Sequence, residues 1–163
     1  MYTVRVPASS ANLGPGFDAL AIALGLYLEC RFRRSDRLRI HASGRDAGLI
    51  SEDETNLIWR VAVAAARQAG AEMPPLEIEI RNEIPVGKGL GSSAAALIAA
   101  LAAADCVLKL GWTRERILDE AARLEGHPDN AAACVLGSMV VSATGSDGKT
   151  RAVRLAMANG FRV

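Results

Sequence analysis

The sequence predicts one α+β domain. Strand-like alternation and helix-like periodicity occur in mixed order, not as strict strand–helix repeats, which argues against a doubly wound parallel sheet. Half of the 163 residues are apolar, enough to build one sizeable core. The longest apolar run, residues 94–104, is far shorter than the roughly 20 residues a membrane span needs, so it reads as a buried helix. No internal repeat, low-complexity tract or linker divides the chain.

The elements follow in order. "YTVRVPA" reads as a first strand that Pro7 ends, and "ASSANLGPGFDAL" as a polar loop broken by Gly and Pro. "LYLECRFRR" and "RLRIHAS" alternate and suggest a hairpin around Ser35 and Asp36. "TNLIWRVAVAAARQAG" is a helix, with Thr55 as expected N-cap and Gly70 as a left-handed stop. In "PLEIEIRNEIP", Leu76, Ile78 and Ile80 alternate with Glu77, Glu79 and Arg81, giving a strand with one buried and one wet face. Ser92 to about Leu108 is a helix apolar nearly all round, hence central. Thr113 caps the next helix and Gly126 ends it, and Pro128 suits the start of a short one. "SMVVSAT" and "RAVRL" flank "GSDGK" as a hairpin.

Net charge is +1, which offers no electrostatic case for nucleic acid or an anionic membrane. Arg31, Arg33, Arg34, Arg37 and Arg39 form a basic cluster whose alternation fits a solvated strand face. Cys30, Cys106 and Cys134 lie far apart in apolar stretches, without any C-x-x-C, and read as buried thiols of a reducing compartment. Pro7, Ser9, Ser10 and Asn12 interrupt the N-terminus where a signal peptide would be apolar. A cytoplasmic protein is expected.

Three stretches carry chemistry. In "PVGKGLGSSAAA", Gly87, Gly89 and Gly91 stand directly before the best helix formers in the chain. A Walker A loop fails because Lys88 is followed by Gly89. "GLGSSA" matches a Rossmann fingerprint by letters, but its helix leads to a second helix and not to a parallel strand. The remaining reading is a backbone cradle for an anion, strengthened by the N-terminus of the following helix. Lys88 adds positive charge, and Ser92 and Ser93 bring hydroxyls that can reach a phosphate or its Mg²⁺. A plain Gly-rich turn with Ser as N-cap is the simpler alternative, and three glycines with a lysine and paired serines outweigh it.

The second stretch, "LEGHPDNAA", groups Glu125, His127, Asp129 and Asn130 around a helix break. Zinc has little support, since the chain holds two histidines and His41 sits in a predicted strand without ligand spacing. A capped helix stop is one reading. The other is a Mg²⁺ carboxylate, Glu125, beside groups that face an acceptor. In the third stretch Asn12 and Asp18 lie in a Gly-rich loop that, taken alone, needs nothing beyond Asx turns.

Together the three resemble the GHMP small-molecule kinase superfamily. "PVGKGLGSSAAA" is similar to the superfamily's ATP loop, while "PASSANLGPGFDALAIAL" and "EGHPDNAA" resemble the motifs of its homoserine kinases. The resemblance implies a ribosomal-protein-S5-domain-2-like fold and ATP-dependent phosphorylation of L-homoserine on the route to threonine. It implies that Pro85, Val86, Gly87, Lys88, Gly89, Leu90, Gly91, Ser92, Ser93, Ala94 and Ala95 wrap the ATP phosphates. Ser93, or less expectedly Ser92, would hold Mg²⁺ with Glu125. Asn12 and Asp18 would meet homoserine, Asp18 suiting its ammonium group, and His127, Asp129 and Asn130 would line the acceptor side. Two roles stay open: Asp129 as general base on the hydroxyl, or Asn130 orienting it while a phosphate oxygen takes the proton. Relatives run well beyond this length and end in a ferredoxin-like domain that supplies arginines. Residues 1–163 are therefore expected to be the N-terminal, ATP-binding domain of a longer enzyme, with that second domain absent and turnover by this chain alone in doubt. The alternatives are another GHMP kinase or a nucleotide-binding module without turnover. No nucleic-acid or membrane partner is expected, and a homodimer is left open.

Overall fold

Strand β1 (Tyr2–Asn12) runs through Pro7 where the sequence suggests a stop. The computed structural model, which describes residues 1–157, gives the reason. Among the described residues β1 pairs only with β2 (Gly16–Arg34), and its register shifts between Pro7 and Ala8. An edge strand at a bulge tolerates a residue with no N–H. The expected polar loop is instead the tip of this hairpin. Asn12, Leu13 and Gly14 take positive φ of 67°, 40° and 82°, which reverses the chain within a few residues. The closing residues 158–163, where the sequence carries no capping signal, lie outside the described residues.

β2 is the hub of the six-stranded sheet found among the described residues. One edge pairs with β1 over nearly its whole length. The other edge is shared. Residues 20–22 pair with β5 (Met139–Thr144), and residues 28–34 with β4 (Leu76–Asn82), both antiparallel. β3 (Arg39–Gly44) lies outside β4 and parallel to it, and β6 (Thr150–Leu155) closes the far end as a hairpin with β5. The expected β2–β3 hairpin therefore does not form, because β4 is inserted between them. β4 presents Leu76, Ile78 and Ile80, all almost fully buried, whereas β3 contributes only Ile40 and Ala42. The more apolar strand takes the interior place.

The chain crosses from β3 to β4 through a short 3-10 turn (Ala47–Leu49) and helix α1 (Leu57–Gln68). Its N-cap is Asn56, not Thr55. Asn56 Oδ1 accepts from the amides of Ile58 (2.9 Å) and Trp59 (3.3 Å), while the Thr55 hydroxyl and amide both turn back to Asp53. Gly70 supplies the left-handed exit at φ 73°. α2 (Ser92–Leu108) is buried along most of its length, as its composition requires. α3 (Arg114–Glu125) starts at Thr113, whose hydroxyl accepts from Arg116 N at 3.2 Å, and ends at Gly126 with φ 89°. α4 (Asp129–Leu136) follows Pro128.

α2 and α4 pack on β1 and β2, and α1 and α3 flank α2. Phe32, Ile78, Ile80, Leu101 and Val140 mark the core between the layers. The opposite sheet face carries Arg31 and Arg33 beside Glu77 and Glu79, with Arg33 and Glu77 paired at 2.7 Å. Helices on one face and charges on the other make this an α+β layer pair. All five arginines of the basic cluster are exposed. Arg34 also donates to Val107 O at 2.9 Å, satisfying a carbonyl in the last turn of α2. The three cysteines are free, Cys30 and Cys134 buried and Cys106 half-buried. No helix among the described residues is long and apolar enough to cross a membrane.

Candidate functional site

The glycine loop leaves the sheet where β2's second edge passes from β5 to β4. Asn82, the last residue of β4, is buried and fixes the exit. Its Nδ2 donates to the carbonyls of Arg45 and Ile84 (both 2.8 Å), and its Oδ1 accepts from Ile84 N. Val86 N then donates to Asp46 Oδ2 at 3.0 Å. Beyond this anchor Gly87, Gly89 and Gly91 take φ of 68°, 72° and 66°, a region that side chains disfavour. Gly91 is also crowded, since a Cβ there would overlap Ser9 Oγ. It is the N-cap of α2 and offers no side chain to the first-turn amides. Those amides point outward without intrahelical partners, so the helix presents its positive end to the loop. Ser92 and Ser93 fall inside the first turn and not at the cap.

This loop is one wall of a cleft of about 660 Å³. Leu49, Asn56 and Leu57 also line it, as do Asn12, Glu125, His127 and Asn130. Ser93 Oγ donates to Glu125 Oε2 at 3.2 Å, which brings the start of α2 to the end of α3. Glu125 is half-buried at a helix C-terminus, where a carboxylate is electrostatically unfavourable and a bound cation would offset it. His127 Nδ1 lies 2.9 Å from Asp129 Oδ1, which also accepts from Asn130 N at 2.6 Å. Asp129 is 1% exposed and is not part of the cleft wall, and its Oδ2 has no partner among the described residues. Asn130 Oδ1 accepts from the Ser9 hydroxyl at 2.8 Å. At the hairpin tip Asn12 Oδ1 accepts from Asp18 N at 2.9 Å. Asn12 lines the cleft, whereas Asp18 is exposed and does not.

Residues 56–138, just over half the chain, match the family model for the GHMP kinases N terminal domain. The chain belongs to the GHMP kinases. It is 62% identical over 160 residues to a homoserine kinase of Solibacter usitatus, covering 98% of this chain and 53% of that protein. It is 44% identical over 141 residues to a homoserine kinase of Deinococcus radiodurans, covering 86% and 46%. A solved homoserine kinase from Cytophaga hutchinsonii superposes with a TM-score of 0.71 at 29% identity, over 94% of this chain and 51% of that one. A solved chain from Listeria monocytogenes superposes with a TM-score of 0.83 at 39% identity, covering 94% and 53%. This GHMP kinase chain thus spans about half the length of the curated relatives it matches.

Most of the residues singled out by the sequence meet in this cleft. The GHMP kinase loop from Val86 to Ser93, Glu125, His127, Asn130 and Asn12 all line it. Pro85, Ala94 and Ala95 flank the loop without reaching the wall, and Ala94 and Ala95 are fully buried. Asp18 and Asp129 lie outside the wall, each tied to a residue that is in it. Sequence reasoning missed Ser9, Asp46, Asn56 and Asn82. The signal for Asn56 and Asn82 is their position, since each polar side chain sits at the end of an apolar-patterned element, where buried backbone groups need partners. Ser9 and Asp46 carry no such local signal.

Proposed function

We propose that this chain is the nucleotide-binding part of a homoserine kinase, which moves the γ-phosphoryl group of ATP to the side-chain hydroxyl of L-homoserine and forms O-phospho-L-homoserine. The observation that carries the reading is 62% identity across nearly the whole chain to a protein of that name. The threonine pathway and the cytoplasm follow from the same reading, and free, buried thiols fit a reducing compartment.

In this reading the loop 85–95 cradles the phosphates. Its left-handed glycines leave the backbone N–H groups unobstructed, and Lys88, exposed on the loop, adds a positive charge. The donor set suits Mg²⁺. One carboxylate, Glu125, and one hydroxyl, Ser93, lie 3.2 Å apart on the cleft wall, and Mg²⁺ takes one or two carboxylates and completes its shell with phosphate oxygens and water. When bound, the ion neutralises charge on the transferred group. Ser93 is preferred over Ser92 because it is the one that reaches Glu125.

On the acceptor side Asn130 would orient the hydroxyl, a role supported by its place on the cleft lining together with His127 and Asn12. Asp129 is buried behind the wall and holds His127 and the Asn130 amide, so a positioning role suits it better than that of general base. Phosphoryl transfer asks mainly for alignment and charge neutralisation, which this arrangement can provide without a protein base, an oxygen of the transferred phosphate taking the hydroxyl proton as ADP leaves. Asp18 contributes through its main chain, which orders Asn12, and is available at the hairpin tip for a substrate ammonium group.

The reading is tested with residues 1–163 joined to the remaining half of the Solibacter usitatus relative. A coupled assay with ATP·Mg²⁺ is run against homoserine, mevalonate and sugar acceptors. Homoserine is the expected acceptor, and preference for any other would overturn the assignment. Titration of residues 1–163 with a non-hydrolysable ATP analogue separately tests the phosphate loop.

A further inference from the structure

We propose that Ser9 is a positioning residue that sets which end of the Asn130 amide faces the cleft, and that it ties this choice to the phosphate loop. The inference rests on the acceptor-side role of Asn130 given above.

Ser9 is fully buried in β1. Its main-chain N–H donates to Leu90 O in the glycine loop at 3.1 Å. Its hydroxyl donates to Asn130 Oδ1 at 2.8 Å and lies directly beneath Gly91, where a Cβ would collide with it. One residue therefore touches the loop through its backbone and the acceptor wall through its side chain. Nothing in the phosphate-cradle or metal reading uses it.

The chemistry turns on the two ends of an amide. An asparagine side chain is nearly the same shape in either orientation, but one presents a carbonyl acceptor and the other an N–H donor. A cleft that receives phosphate and hydroxyl oxygens needs the donor, because a carbonyl would face their lone pairs and charge. With Oδ1 engaged by Ser9, Nδ2 is the polar end left over. Its only other contact among the described side chains is a long one, 3.4 Å, to Asp129 Oδ1.

A serine hydroxyl could also accept, and Asp129 limits that ambiguity. A turned amide would set its carbonyl, in place of Nδ2, against the Asp129 carboxylate 3.4 Å away, so Oδ1 belongs toward Ser9 and accepts from it. Cys134 Sγ lies 3.4 Å from Ser9 Oγ, and its one hydrogen has the nearer acceptor in Pro7 O at 3.1 Å. Without the Ser9 hydroxyl, only the long contact to Asp129 holds the amide, and its orientation is no longer fixed.

The test uses the full-length enzyme carrying this chain. Ser9→Ala should lower kcat about 10- to 100-fold, the scale of a misplaced reacting group, with KM for ATP within about twofold of wild type. Ser9→Ala and Asn130→Ala should be strongly non-additive, the double variant losing little more than Asn130→Ala alone. In ¹⁵N-labelled residues 1–163, the Asn130 side-chain amide resonances should move on Ser9→Ala. Should Ser9→Ala not fold, Ser9→Cys keeps a weaker donor in the same place and should show the same kcat-selective loss in smaller measure. Wild-type kcat in either folded variant, or additive losses with Asn130→Ala, would overturn the proposal. If the wild-type enzyme prefers an acceptor other than homoserine, the substrate reading fails, and the amide resonances and the cycle with that acceptor still decide the role of Ser9.

Discussion

Gly89 and Gly91 share a left-handed backbone and differ in what surrounds them. A methyl group at Gly89 meets open space, whereas at Gly91 it meets Ser9 Oγ. Gly89→Ala should therefore cost only the backbone strain, about 1–2 kcal/mol, keep its fold and lose nucleotide affinity. Gly91→Ala should show the larger drop in Tm, and equal Tm values for the two would refute the crowding argument. Glu125 allows a test with opposite signs. Glu125→Gln removes a carboxylate from a helix C-terminus, so the nucleotide-free chain should be as stable as wild type or slightly more so. The Mg²⁺ concentration that supports half-maximal nucleotide binding should rise about tenfold or more. Unchanged Mg²⁺ dependence in isothermal titration would reduce Glu125 to a helix end. That the glycines, Ser93 and Glu125 would share one cleft was legible in the sequence because they lie in short, recognisable motifs. Ser9 was not. The register shift at Pro7 and Ala8 turns both Ala8 and Ser9 inward, which breaks the alternation that would mark an inward residue.

Caps decide the ends of the helices, and here two neighbouring candidates compete. Asn56→Ala should destabilise the chain by about 1–2 kcal/mol, since it removes two bonds to the first turn of α1, whereas Thr55→Ala should cost clearly less. Urea unfolding of the two variants settles it, and equal losses would count against Asn56 as the cap. Helices α2 and α3, and the start of α4, could be read nearly to the residue because an unbroken apolar run, Thr113, Gly126 and Pro128 are local signals. The partner of β3 could not. Ser35 and Asp36 invite a hairpin, but β4, some forty residues on, carries the more apolar face and takes the place beside β2. Pairing depends on competition between distant segments, which no local window contains. Pro7 misled for a related reason, because its tolerance depends on β1 being an edge.

Taken whole, the molecule keeps its thiols out of reach. Desolvation pushes Cys30 and Cys134 from 9.0 to about 12, and it also raises half-buried Cys106. In the folded state at pH 8, alkylation should reach Cys106 slowly and the other two only on unfolding, as mass spectrometry of labelled peptides would show. A thiol whose folded value is raised binds its proton longer than in the unfolded chain. Its contribution to stability is therefore complete below pH 9 and is lost as pH rises toward 12. Rapid folded-state labelling of Cys134 would contradict the packing around Ser9. The shared edge of β2 has a further consequence, in time. Residues 20–22 pair with residues 139–141, about 120 positions later in the chain. At ribosomal rates of about 5–20 residues per second, that stretch of β2 edge waits roughly 6–24 s for its partner. Until β5 emerges, the nascent chain carries an unpaired strand edge beside a half-built phosphate loop, a stage at which chaperone binding competes with aggregation.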